Sequence, residues 1–151
     1  MDYIKTFENY NKKIFYHGSY DKLPIKTILK SHEKSYTRDP NNMILEGILE
    51  KYRPDDKLSR YDSIFLVDDP ELIDAVGAPI DYIYEVIIPG NITPEKSDLA
   101  WYSEIEGEDD IEKQKEYALN YWNGIPYYDK YSSAFEYRVK EAIIYELYEE
   151  N

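Results

Sequence analysis

The stretch Ser63-Ile64-Phe65-Leu66-Val67 runs without a gap into Asp68-Asp69-Pro70-Glu71. The apolar run reads as a buried strand; an Asp able to cap, followed by Pro in the first turn, reads as a helix start. Leu72, Ile73 and Val76 give that helix an apolar side, and Gly77 closes it. Strand, tight turn and short helix therefore follow one another within fifteen residues.

The same punctuation recurs along the chain. Lys13-Ile14-Phe15-Tyr16-His17-Gly18-Ser19-Tyr20 is an apolar, β-prone run stopped by Gly18, a strand ending in a turn. Residues 24 to 30 have a helix-compatible start, with Pro24 first and Ile25, Ile28 and Leu29 on one side. A clearer helix starts at Asp39-Pro40-Asn41, carries Ile44, Leu45, Ile48, Leu49 and Tyr52 on one face and ends before Pro54. Tyr82 to Ile88 is a further strand, ended by Pro89-Gly90, and Ile111 to Trp122 a further helix, with Gly124 at its C-terminal cap. The last strand runs from Glu136-Tyr137-Arg138-Val139 into Ala142-Ile143-Ile144-Tyr145, and Ile4 and Phe7 suggest a short helix in the first ten residues. Strands and helices interleave early, but the short helices and strand-rich second half fit an α+β domain of twisted sheets better than a doubly wound one.

Composition bounds what such a domain does. At 151 residues, with no linker-like tract and no repeat, residues 1–151 form a single domain. The absence of Cys excludes disulfides and thiolate chemistry. No apolar run approaches the roughly 18 residues of a membrane span, and Met1 to Thr6 have no signal-peptide character, so a cytoplasmic location is expected. Lys and Arg number 18 against 31 Asp and Glu, a net charge of −13. That balance disfavours nucleic-acid binding, which needs a basic stripe, and suits a basic partner. Tyr outnumbers Phe 18 to 4, so much of the aromatic packing carries a hydroxyl that needs water or a partner.

Most chemistry-bearing motifs are missing. His17 and His32 are the only histidines, no zinc spacing occurs, and no metal site is expected. Glu104-Ile105-Glu106-Gly107-Glu108-Asp109-Asp110 lacks the ordered ligand pattern of a calcium loop and reads as a solvated loop. There is no P-loop, no G-x-G-x-x-G and no nucleophile elbow. Trp101-Tyr102 and Tyr121-Trp122 read as packing.

Three features remain, and their order is informative: His17-Gly18-Ser19 at a strand end, Arg60-Tyr61-Asp62-Ser63-Ile64-Phe65-Leu66 leading into strand and helix, and Glu136 opening a late strand. This order, with the intervening Tyr84-Glu85-Val86 and Tyr121-Trp122-Asn123-Gly124, resembles the ADP-ribosyltransferase fold family between Tyr16 and Val139. Small phage-encoded members and the enzymes that modify rifamycin look similar. The resemblance implies two small packed β-sheets around an NAD cleft, with short flanking helices.

It also implies roles. His17 would hydrogen-bond the ribose hydroxyls beside nicotinamide, the Gly18 backbone would meet the carboxamide, and Ser19 would extend that set. Gly suits a backbone that approaches a ligand closely. Phe65 matches a position that holds Tyr in many members, and Tyr61 is the other candidate to stack on nicotinamide. Arg60 would fork onto the pyrophosphate. Glu136 would bond the ribose 2′-hydroxyl, stabilise the charge that develops as nicotinamide leaves and orient the nucleophile; no metal is required. By strict alternation in an unbroken strand Glu141 falls on the apolar face, and is either a bulge residue or the second candidate carboxylate, ranked after Glu136.

The implied function is an NAD-dependent ADP-ribosyltransferase acting on a protein target, a basic one given the charge. Ala134 stands two residues before Glu136, where some Arg-modifying members carry a second acid, so Arg specificity is not supported. The alternative class is a non-catalytic acidic protein that occupies a basic site on a partner. NAD glycohydrolysis and an RNA 2′-phosphotransferase-like reaction, the latter short of a basic patch, rank lower.

Overall fold

A computed structural model describes residues 13–31, 40–127 and 134–151. The expected helix near Ile4 and Phe7, the Asp39 cap and His32 lie outside these residues.

Two antiparallel sheets and three α-helices make up the described chain. Strands β1 (Phe15–Ser19), β4 (Tyr82–Ile87), β7 (Glu141–Glu150) and β2 (Ile28–Lys30) lie side by side in that order in one sheet. Strands β3 (Ile64–Leu66), β6 (Phe135–Val139) and β5 (Glu95–Asp98) form the other. The sheets meet where Tyr16 and Val67 exchange backbone hydrogen bonds of 2.8 and 3.0 Å. Phe15, Ile64, Leu66, Tyr84, Val86, Tyr137, Val139, Ala142 and Ile144 interlock as the main apolar core. The helices α1 (Pro40–Lys51), α2 (Ala100–Glu106) and α3 (Ile111–Trp122) share a second core of Leu45, Leu49, Trp101, Ile105, Ala118, Tyr121 and Trp122. Each indole there donates to a carbonyl, Trp122 to Leu49 and Trp101 to Ile125, both at 2.7 Å. No helix among the described residues is long and apolar enough to cross a membrane.

Local chemistry sets the element ends. Asp110 caps α3 by accepting from the Glu112 and Lys113 amides. Gly124, at φ +67°, ends it in the left-handed conformation that non-glycine residues avoid. Asp69 caps the short helix expected here, which is a single 3₁₀ turn, Pro70–Leu72; Gly77, at φ +76°, closes the segment.

Several expectations are corrected. Residues 24–30 do not start a helix: Thr27 closes a turn onto Pro24, Lys26 takes φ +74°, and β2 follows. The single late strand is two, because the chain leaves one sheet at Val139 and enters the other at Glu141, breaking the alternation at Lys140. The inward face of α1 keeps Leu45, Ile48, Leu49 and Tyr52 as expected, but Ile44 is 65% exposed and Glu46 is buried instead. The acidic run is not wholly a loop: Glu104 to Glu106 end α2 and Asp110 caps α3. Strand β5 and helix α2 were not anticipated. Glu95-Lys96-Ser97-Asp98 has no apolar residue to signal a strand, and Ser97 and Asp98 are buried through hydrogen bonds instead.

Candidate functional site

A cleft of about 540 Å³ opens between β1, β2, β3 and the segment around Gly77 to Pro79. This is the size of a small-molecule pocket. His17, Gly18, Arg60, Phe65 and Glu136 all line it. Ser19, Tyr61 and Glu141 do not.

His17 stands on β1 with Nδ1 3.0 Å from the Phe65 carbonyl. A carbonyl only accepts, so Nδ1 carries the proton and Nε2 is left as an acceptor. Burial lowers the pKa of the ring, with the Phe65 carbonyl partly opposing it, so the imidazole is neutral at neutral pH.

Gly18 is constrained twice. A Cβ at this position would sit 2.0 Å from the Pro79 carbonyl oxygen, so the packing of the segment before β4 already requires glycine. Its backbone is the second point. Tyr16 spends its N–H and C=O on Val67, off the outer edge of β1. Backbone groups alternate sides along a strand, so those of Gly18, two residues on, also point off that edge and away from β4. Ser19, by contrast, folds its hydroxyl onto the backbone of Asp21, donating at 2.8 Å and accepting at 3.1 Å.

The floor of the cleft is charged. Arg60 is buried and donates through Nε to Glu46 at 2.8 Å and through Nη1 to both Tyr121 Oη, at 2.5 Å, and Glu136 Oε1. Its guanidinium also lies over the Phe65 ring, 4.8 Å from the centroid, and near Tyr102 and Tyr121. Two carboxylates thus hold the guanidinium through Nε and Nη1. Tyr61 sits in the turn Arg60–Asp62, its amide on Ser59 Oγ; burial together with Glu46 and Glu50 raises its pKa.

Glu136 reaches this floor from β6 and is 2% exposed. Oε1 accepts from Arg60 and from Tyr121 Oη, while Oε2 takes no hydrogen bond from the described residues. Glu141 opens β7 opposite Lys30, in the other sheet. Behind Glu136, fully buried Arg138 donates through Nη1 to Ser97 Oγ at 2.7 Å and to Tyr121 Oη at 2.9 Å. Its Nη2 lies 3.6 Å from Glu95, and its Nε and Nη2 have no hydrogen-bond partner among the described residues. Two buried carboxylates, Glu46 and Glu136, are therefore balanced by two guanidiniums.

Glu46, Tyr121 and Arg138 do not line the cleft but hold the Arg60–Glu136 pair from behind, and sequence reasoning did not single them out as site residues. Glu46 gave one readable signal, an acid next to Leu45 and three residues before Leu49 in a helix. Tyr121 read as packing, and its ring does pack on Trp122, with centroids 5.1 Å apart. Among the described residues, no group of three or more His, Asp and Glu is arranged to hold a metal. No family model matches the chain, and no curated protein matches it.

Proposed function

We propose that the cleft binds NAD as a substrate and that the protein transfers its ADP-ribose to a nucleophile on a protein target. The observation that carries this reading is the convergence of His17, Phe65 and Glu136, from three separate strands, on one cleft. Neutral His17 presents Nε2 as an acceptor for a ribose hydroxyl. The free-edge N–H and C=O of Gly18 match the acceptor and donor of a carboxamide. The Phe65 ring offers an apolar face to the nicotinamide, and Glu136 Oε2 is the oxygen left to meet the ribose 2′-hydroxyl.

The chemistry is a displacement at the ribose anomeric carbon. The glycosidic C–N bond breaks and nicotinamide leaves with the bonding pair. A lone pair of the nucleophile forms the new bond, and its proton passes to Glu136 or to solvent. The carboxylate stabilises positive charge developing on the ribose, and the fixed cleft supplies orientation. With Arg60 Nε and Nη1 engaged by acids, Lys30, which also lines the cleft, would meet the pyrophosphate. The charge of −13 would steer the protein to a basic target in the cytoplasm.

The test is NAD binding by calorimetry, with free nicotinamide followed in the same samples. Saturable binding that His17→Ala weakens, together with release that Glu136→Gln abolishes, is the expected result; no binding at millimolar NAD sinks the reading. In that case the acidic interaction protein stands, supported by Glu85 facing Glu146 across the β4–β7 ladder, a like-charge pair that a basic partner would relieve.

A further inference from the structure

We propose that Tyr121 is a positioning residue that aims the Glu136 carboxylate into the cleft, an assignment that rests on the NAD reading above. A phenol hydroxyl has one proton to give and two lone pairs to receive with. Arg60 Nη1, at 2.5 Å, and Arg138 Nη1, at 2.9 Å, are donors without acceptor capacity, and both address Tyr121 Oη. They fill its two lone pairs. The single proton then has one place to go, Glu136 Oε1. The hydroxyl is thus saturated in one orientation.

The phenol itself is held just as firmly. Tyr121 sits in the last turn of α3, its carbonyl accepts from Ser97 Oγ at 2.7 Å, and its ring is fully buried against Trp122. Burial raises its pKa, and the hydroxyl keeps its proton at neutral pH. Arg60 alone would leave the carboxylate free to swivel about one contact. A second donor from a different element fixes which oxygen is held and which is left for a substrate. Oε1 is held, while Oε2 takes no hydrogen bond from the described residues and belongs to a residue that lines the cleft.

Tyr121→Phe keeps the ring and deletes only the hydroxyl. In that variant the Kd for NAD should stay within about twofold, while kcat for nicotinamide release falls roughly ten- to a hundredfold, the scale of a slightly misplaced group. If Tyr121 acts only through Glu136, Tyr121→Phe/Glu136→Gln will be no slower than Glu136→Gln. A wild-type protein that releases no nicotinamide overturns the NAD reading and this assignment together. A wild type that turns over beside an unchanged kcat in Tyr121→Phe overturns the assignment alone, as does a weakened Kd with kcat intact. Should near-UV circular dichroism show Tyr121→Phe unfolded, the wild-type proton spectrum decides. A slowly exchanging tyrosine hydroxyl proton that shifts upfield in Glu136→Gln supports the assignment, and a spectrum in which none responds overturns it.

Discussion

The two faces of β6 are built on opposite principles. Tyr137 and Val139 point into the apolar layer between the sheets, among Phe15, Ile64, Leu66 and Ile144. Glu136 and Arg138, the alternate residues, point to Arg60, Tyr121 and Ser97. The apolar face owes its stability to area and close packing, which degrade gradually as side chains shrink. The charged face depends on pairing. Four buried ions hold only while each has its counter-charge and donors, and loss of one strands the others. One strand thus anchors a core and a site without mixing their rules.

The sharpest way to break this contrast is Arg60→Met. It takes the Arg60 guanidinium from both Glu46 and Glu136, leaving Glu136 with Arg138 at 3.9 Å as its counter-charge, and should cost about 3–5 kcal/mol in urea unfolding. Adding Glu46→Leu, Glu136→Leu and Arg138→Met to Arg60→Met removes all four buried ions and should restore part of that loss, since an apolar replacement of a whole buried network is often neutral; a further drop would show that the ions themselves stabilise the fold.

Truncation on the apolar side is the comparison. Ile144→Ala, at a fully buried position, should cost about 2–5 kcal/mol in the same assay. A smaller loss from Arg60→Met than from Ile144→Ala would end the distinction between the faces.

His17 tests the border between them through pH. Its folded pKa lies below the ordinary 6.5, so the unfolded chain takes up the proton first as pH falls. Stability from this site is complete above about pH 6.5 and declines as pH falls from there through the folded pKa. Thermal unfolding from pH 8 down to 5 should show a decline that His17→Gln flattens.

The smallest effect is expected at Tyr137, whose hydroxyl leaves the core to donate to Asp68 at 3.1 Å. Tyr137→Phe should cost about 1 kcal/mol. Burial and then Asp68 raise this phenol from 10.0 to about 12, so its contribution is present below pH 10 and declines between 10 and about 12. Denaturation midpoints at pH 9 and 11 should differ less in Tyr137→Phe than in the wild type.

Much of this was legible because local chemistry decided it. Asp69, Gly77 and Gly124 mark element ends through capping and left-handed backbone, which need only neighbouring residues. The apolar runs around Phe15, Phe65 and Val86 each became strands. What failed depended on distant partners. Strand β5 has no apolar signal because Ser97 and Asp98 are buried by hydrogen bonds to Tyr121, Ala100 and Tyr127. The break at Lys140 follows from β6 and β7 pairing in different sheets, which no alternation pattern encodes.

The cleft divides the same way. Sequence by itself determined the short α+β elements, the acidic surface and the placing of His17, Phe65 and Glu136 in or beside strands, because periodicity and charge are local properties of the chain. Only the tertiary structure decided that these three line one cleft while Ser19, Tyr61 and Glu141 do not. It also decided that Arg60 is committed to Glu46 and Glu136, and that Gly18 is required by the Pro79 carbonyl. The physical reason is that a buried charge is defined by its partners, and those partners lie 14 to 76 residues away along the chain.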